Sequence, residues 1–341
     1  MTLEVREMEW AREQAGAVLR EMDRILLGQH EIHELVLMGI LSRGHILLEG
    51  LPGVGKTALV KALGQLLSLE FKRIQFTPDL LPGDILGGNI LQVGEDGHRA
   101  LEFQPGAIFS NIVLADEINR ASPKTQSAML EAMQERCVTL LGVTRPLPDP
   151  FFVLASQNPI ELEGTYPIPE AQLDRFLFKI QVTGVDADVL ARIISERRRG
   201  EPPAITPVLS REGLQKLFGV MDGITLSEPV ANYIARIVAM THPEQEGALE
   251  QVRRCVTYGA SPRAAIAMAE SARAAALLAG RPTVGFEDVR RVASSVLNHR
   301  LIVNYQAKLE KVTAADIASA VVSSVDPAGI DWPSRSSVEA K

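Results

Sequence analysis

Gly50-Leu51-Pro52-Gly53-Val54-Gly55-Lys56-Thr57 is the stretch that decides the fold. It fills every fixed place of the phosphate-loop pattern G-x-x-x-x-G-K-[ST]. His45 to Glu49 before it reads as a short buried strand, and Ala58 to Leu63 after it reads as a helix. In a strand, loop, helix unit of this kind the glycines let consecutive backbone N–H groups curl around phosphates, and the helix adds its positive N-terminal end. Pro52, Gly53, Val54, Gly55, Lys56, Thr57 and Ala58 are therefore the candidate nucleotide cradle, with Lys56 directed to the outer phosphates and the Thr57 hydroxyl to Mg2+.

Outward from the loop, short apolar runs alternate with helical patterns: Ile46 to Glu49, Phe71 to Phe76, Ile112 to Ala115, Phe151 to Ser156 and Phe176 to Val182. That alternation predicts an α/β layer on a parallel sheet. Two interruptions, Asn89 to Phe103 and Cys137 to Pro148, read either as hairpins or as decorated surface loops. Gly200 to Ala204 with Pro207 is a linker signal. Beyond it the pattern is helical without a convincing strand, clearest over Pro229 to Met240, Pro262 to Ala279 and Phe286 to Leu301. The tail from Asp326, rich in Ser, Pro and charge, is expected to be disordered.

A phosphate loop alone does not separate a kinase, a GTPase and an ATPase. The buried strand Ile112 to Ala115 ends in Asp116 and Glu117, 60 residues after Lys56. Asp116 can complete a Mg2+ shell with Thr57. Glu117 can position a water for attack on the terminal phosphate, which favours hydrolysis over transfer. Asn158, at the end of the strand Phe152 to Ser156, is either a turn residue or a hydrogen-bonding partner of phosphate or water. Arg175 and Arg263 are candidates for stabilising transition-state charge, or surface arginines.

The 341 residues, 46% hydrophobic and 23% charged, suit one large or two ordinary soluble domains. A net charge of -7 gives no general attraction to nucleic acid or anionic membrane. Arg192, Arg197, Arg198 and Arg199 form one basic cluster, read as a solvated helix end. Cys137 and Cys255 stand far apart without a metal-site spacing, Met1 to Trp10 lacks a signal peptide's apolar stretch, and no membrane span is present. A cytoplasmic protein is expected.

This set of residues resembles the AAA+ ATPases, and within them the MoxR family. The resemblance rests on Gly50 to Thr57, Leu114 to Ala121, Gln126 to Glu135, Ser156 to Pro159, Glu170 to Phe176 and Gly259 to Ala264, in family order over about residues 25 to 305. It implies that Gly50 to Thr57 is Walker A, Asp116 and Glu117 are Walker B, and Asn158 is sensor 1. Arg175 is similar to the arginine finger given to a neighbouring subunit, Arg263 to sensor 2, and Gly28 with Gln29 to the segment near the adenine. Gln104-Pro105-Gly106 departs from the Gly-Pro expected before Ile108-Phe109. The implied architecture is an AAA+ core with parallel sheet and hairpin inserts over residues 1–200, an N-terminal helical segment included. A smaller all-helical lid over 205–320 and a tail over 326–341 follow. The implied activity is Mg2+-dependent ATP hydrolysis in a homo-oligomeric ring, a hexamer. Such a ring acts as a remodelling or maturation chaperone on a protein client, in complex assembly or metal-cofactor insertion, with a von Willebrand factor A domain partner. The alternatives are a nucleic-acid motor, disfavoured by charge, and a nucleotide-dependent switch; without an N-K-x-D guanine reader, ATP is expected over GTP.

Overall fold

The structure is a computed structural model, described here for residues 5–93, 99–159, 164–197 and 203–327. Two compact units divide the chain, Met1–Ile224 with Leu277–Pro282 and Thr225–Ala276 with Thr283–Lys341.

The first unit opens with α1 (Val5–Ile25) and α2 (His30–Leu41). In α1, Met8, Ala11, Ala15, Val18, Met22 and Ile25 recur every three or four residues and are buried, the stripe that packs a helix onto a core. There follow β1 (Ile46–Gly50), α3 (Lys56–Leu66), β2 (Phe71–Gln75), α4 (Pro82–Leu86), β3 (Gly87–Val93), β4 (Arg99–Pro105), β5 (Ile112–Asp116) and α5 (Pro123–Glu135). After these come β6 (Cys137–Leu140), β7 (Val143–Pro146), β8 (Phe152–Gln157), α6 (Glu170–Leu173), β9 (Phe178–Val182), α7 (Ala187–Glu196) and α8 (Arg211–Asp222). Strands β2, β5, β8, β1 and β9, in that order, make one sheet, parallel throughout. Every residue of β5 is buried, as is β8 from Phe152 to Ser156, because helices cover both faces of a parallel sheet.

Both interruptions are hairpins. β3 and β4 pair in unbroken register from Gly87 with Pro105 to Val93 with Arg99; the expected turn, Gly94 to Gly97, lies outside the described residues. β6 and β7 are joined by Leu141 and Gly142, both at positive φ (51° and 78°), the type I′ geometry that matches strand twist. At the departure from the family pattern, a Cβ on Gly106 would lie 2.1 Å from the Ile85 carbonyl oxygen. Glycine is required there by close backbone approach.

The second unit holds α9 (Glu228–Ala239), α10 (Glu250–Cys255), β10 (Val256–Tyr258), most of α11 (Pro262–Leu278), α12 (Phe286–Leu297), β11 (Ile302–Val303), α13 (Tyr305–Glu310) and α14 (Ala314–Ser324). Among its described residues it is helical except for a short antiparallel ladder of β10 on β11 and an isolated bridge between Thr225 and Thr283. Strands of two and three residues carry no readable period, so the sequence shows none of this, and α12 stops at Leu297 rather than running on to Leu301. The sequence reading opens the second domain at 205, but α8 belongs to the first unit, where it packs on α1 and α2. Residues 198–202 of the linker and 328–341 of the tail lie outside the described residues.

Candidate nucleotide site

β1 lies between β8 and β9, with β2, β5 and β8 on one side and β9 alone on the other, so the loop after it opens at the carboxyl edge of the sheet where the strand order switches direction. Three glycines in this loop have two different causes. A Cβ on Gly50 would stand 2.3 Å from the Val182 carbonyl oxygen on β9, so close strand approach requires it. Gly53 and Gly55 meet nothing within 4 Å but sit at φ 82° and 94°, backbone conformations that L side chains resist. Gly55 caps α3, and Lys56 is the first helical residue.

The loop from Pro52 to Ala58 faces Asp116, Glu117 and Asn158 across a cleft of about 400 Å³, also lined by Arg73 and Ser156. The Lys56 ammonium donates to the carbonyl oxygens of Gly50 and, at 3.1 Å, of Leu51. Burial holds its pKa below the ordinary lysine value, against the opposing pull of Asp116 and Glu117. Asp116 is buried at the end of β5 and takes hydrogen bonds on both oxygens. Ser156 Oγ donates to Oδ1 at 2.5 Å, and Arg73 Nε to Oδ2 at 2.9 Å. The same Ser156 hydroxyl accepts the Glu117 N–H at 2.9 Å, so one side chain of β8 pins both acids of β5. Glu117 occupies the left-handed region (φ 56°, ψ 48°), and its carboxylate accepts from Gln75 Nε2 at 2.7 Å and Arg120 Nη1 at 3.1 Å. Asn158 is buried beside them.

A second cavity, of about 490 Å³, shares Gly53, Val54, Gly55 and Ala58 with the first and is otherwise walled mostly by apolar groups, with Gln29 and Arg197 as its polar members. Leu26, Leu27 and Gln29 come from the turn between α1 and α2; Gly184, Val185, Leu190, Ile193 and Arg197 come from β9's exit and α7. Gln29 Nε2 donates to the Val54 carbonyl at 3.2 Å and ties that turn to the loop. Gly28 sits at φ 80° against Val189. A hydroxyl and a carboxylate, Thr57 and Asp116, line the cleft and are hard oxygen donors suited to Mg2+. Among the described residues no group of three or more His, Cys, Asp or Glu is placed to hold a metal by itself. Magnesium, which keeps waters and substrate oxygens in its shell, does not require one.

The match to known proteins follows the same residues. Residues 45–178 fit the ATPase family associated with various cellular activities (AAA), and residues 249–321 fit the AAA lid domain. Chaperone MoxR1 of Mycobacterium tuberculosis is 42% identical over 305 residues, covering 89% of this chain and 80% of that protein. The chain belongs to the MoxR family of AAA+ ATPases. YeaC of Bacillus subtilis is likewise 42% identical, over 91% of this chain and 93% of its own length. A solved structure from Cytophaga hutchinsonii that carries an ATPase assignment superposes with a TM-score of 0.85 at 39% identity, covering 94% of this chain and 97% of the other.

Two further positions read from sequence are Arg175 and Arg263. Arg175 follows α6, half-buried, and does not line the cleft. Arg263 is exposed in the first turn of α11, in the second unit. Arg73, Gln75 and Arg120 escape sequence reasoning, because a polar or charged side chain on a short strand or turn reads the same whether it meets solvent or a site. So do Gly184, Val185, Leu190 and Ile193. Arg197, read as part of a solvated helix end, turns to the second cavity and donates to the Arg24 carbonyl at 3.0 Å. The signal available for Arg73 and Gln75 was their period-2 spacing on one face of a strand neighbouring Asp116.

Proposed function

We propose that this chain is a Mg2+-dependent ATPase that works as a ring, a hexamer, to remodel or mature a protein client in the cytoplasm. The observation that carries the reading is the cleft in which the loop Pro52–Ala58 faces Asp116, Glu117 and Asn158. Backbone N–H groups of the loop and the Lys56 ammonium bind the triphosphate. Thr57 and Asp116 hold Mg2+, whose chemistry here is charge neutralisation on the phosphates. Glu117 takes the proton of the attacking water, and Asn158 orients that water or the terminal phosphate. Gly28 and Gln29 frame the adenine. Arg263 acts from the lid as sensor 2, and Arg175 reaches the site of a neighbouring subunit. Arg175 is half-buried after α6 and is not among the residues lining the cleft of its own chain, which suits a role at a neighbouring one.

Membership of a family that includes chaperone MoxR1 supports the remodelling role, and a partner with a von Willebrand factor A domain is the expected adaptor. No helix among the described residues is long and apolar enough to cross a membrane. Turnover measured against protein concentration tests the reading. Glu117→Gln is expected to keep ATP affinity and lose about 100-fold or more in rate. Arg175→Ala is expected to bind ATP normally and to fall by about 1,000-fold in rate. Mixing the two variants should restore part of the activity, since each supplies what the other lacks. Full turnover by a dilute monomer, untouched by Arg175→Ala, would sink the shared site.

A further inference from the structure

The carboxylate of Asp116 already has a cation. Arg73 approaches its Oδ2 with both Nε, at 2.9 Å, and Nη2, at 2.7 Å, while Ser156 occupies Oδ1. The placement follows from the sheet. β2 and β5 are parallel neighbours, with Arg73 beside Leu114 and Gln75 beside Asp116, so alternate residues of β2 deliver two long polar side chains to the carboxyl end of β5. Gln75 then works in both directions: its Oε1 accepts from Arg73 Nη2 and its Nε2 donates to Glu117. Arg73 also lines the cleft, with 48% of its side chain exposed, whereas the side chain of Asp116 is only 10% exposed. A carboxylate this buried is costly to leave without a counter-ion, and more so opposite a polyanion.

We propose that Arg73 is a resident counter-ion that stands in for the divalent cation at Asp116 and lets nucleotide enter a metal-free cleft. The guanidinium neutralises Asp116 until a metal competes for the same oxygen, and its exposed half lies on the cleft side, where triphosphate oxygens can receive it. Arg73 is thus a positioning residue, and the inference rests on the cleft being the Mg2+ and nucleotide site of the preceding section. Its consequence is a weakened linkage: because a cation is already present, adding metal tightens nucleotide binding less than it would in an arginine-free site.

The test is calorimetric binding of ADP to the full chain, with Mg2+ and with EDTA, reported as the ratio of the two Kd values. In Arg73→Ala that ratio should rise about tenfold over the unaltered protein, almost all of it from weaker metal-free binding. Arg73→Lys keeps a cation of less suitable geometry and should hold the ratio within about threefold. The double variant Arg73→Ala with Asp116→Asn removes the charge that needed balancing, and its metal-free affinity should return to within about threefold of the original. That rescue separates lost counter-ion from lost fold, since a misfolded Arg73→Ala chain would not be repaired by a second substitution. An unchanged ratio in Arg73→Ala, or no rescue in the double variant, overturns the proposal while leaving the nucleotide site intact. Absence of ADP binding by the unaltered protein would overturn both.

Discussion

Two cavities meet at one loop, and they are built in opposite ways. Gly53, Val54, Gly55 and Ala58 line both. On one side stand two carboxylates and the side chains that hold them, contributed by the ends of adjacent parallel strands and fixed by hydrogen bonds of 2.5 to 3.1 Å. On the other stand apolar side chains from a turn near residue 27 and a helix near residue 190, joined to the loop by the Gln29 hydrogen bond. The first is rigid because a sheet positions it; the second depends on how a turn and a helix pack. Chemistry that needs fixed charges belongs to the first, and discrimination of the base by shape belongs to the second.

The largest effect that can break this contrast comes from Lys56. Its ammonium is the one lysine charge in the cleft, so Lys56→Ala should weaken ATP binding on the order of 1,000-fold, as expected for removal of a desolvated cation from a polyanion site. Melting temperature should be nearly unchanged, because the lysine's partners are two loop carbonyls that water can satisfy. If ATP bound to Lys56→Ala within a few-fold of normal, the apolar cavity would be the dominant source of affinity and the division of labour would be reversed.

The same contrast explains what was legible in the sequence. The carboxylate cleft is written in consecutive residues, because a phosphate loop and a strand that ends in acids are local patterns whose spacing is fixed by backbone geometry. The inner strands β1, β5 and β8 were legible for the same reason, since a strand covered on both faces is nearly all apolar, whereas the edge strands β2 and β9 are interrupted by Lys72, Arg73, Gln75, Lys179 and Gln181. Leu190, Ile193 and Gly184 were not, since an amphipathic helix shows that it has an apolar face and says nothing of what that face meets. Arg73 was missed for a third reason: which strand neighbours β5 is a property of topology, and its partner lies 43 residues away. In the second unit, the ladder of Val256–Tyr258 on Ile302–Val303 is too short for periodicity to register.

A change of intermediate size tests the strand that supports both cavities. His45, immediately before β1, is buried; Val153 donates its N–H to Nδ1 at 3.0 Å, so the proton sits on Nε2, which donates to the Met133 carbonyl at 3.0 Å. Burial lowers its pKa from 6.5 to about 4. The folded state therefore holds His45 neutral where the unfolded chain takes up a proton. Stability from this group is intact above pH 6.5, falls as the pH drops toward 4, and levels off below, a total of about 3 kcal/mol. Urea unfolding across that range should show the loss, and in His45→Phe its slope should be absent, at the cost of two unpaired backbone groups and about 2 kcal/mol at neutral pH. A slope that persisted in the variant would assign the acid sensitivity to another group.

The smallest effect is the sharpest test, because it should touch only the apolar cavity. Gly28 holds φ 80°, and a Cβ there would stand 2.7 Å from Val189 on α7. Gly28→Ala therefore strains the turn and pushes it from the helix that forms the opposite wall, a penalty of about 1 kcal/mol or a little more. The cleft carboxylates, fixed by β2, β5 and β8, feel nothing of this. The expected outcome is a Kd for ATP raised about tenfold, with the turnover rate at saturation kept within about twofold. A second substitution, Val189→Ala, makes room for the new methyl group and should recover part of the affinity even though it removes an apolar contact, which no general destabilisation would do. Were the turnover rate to fall in step with affinity, the two cavities would have to be mechanically coupled through Gln29 and Val54, and the rigid cleft would owe its geometry to the turn as well as to the sheet.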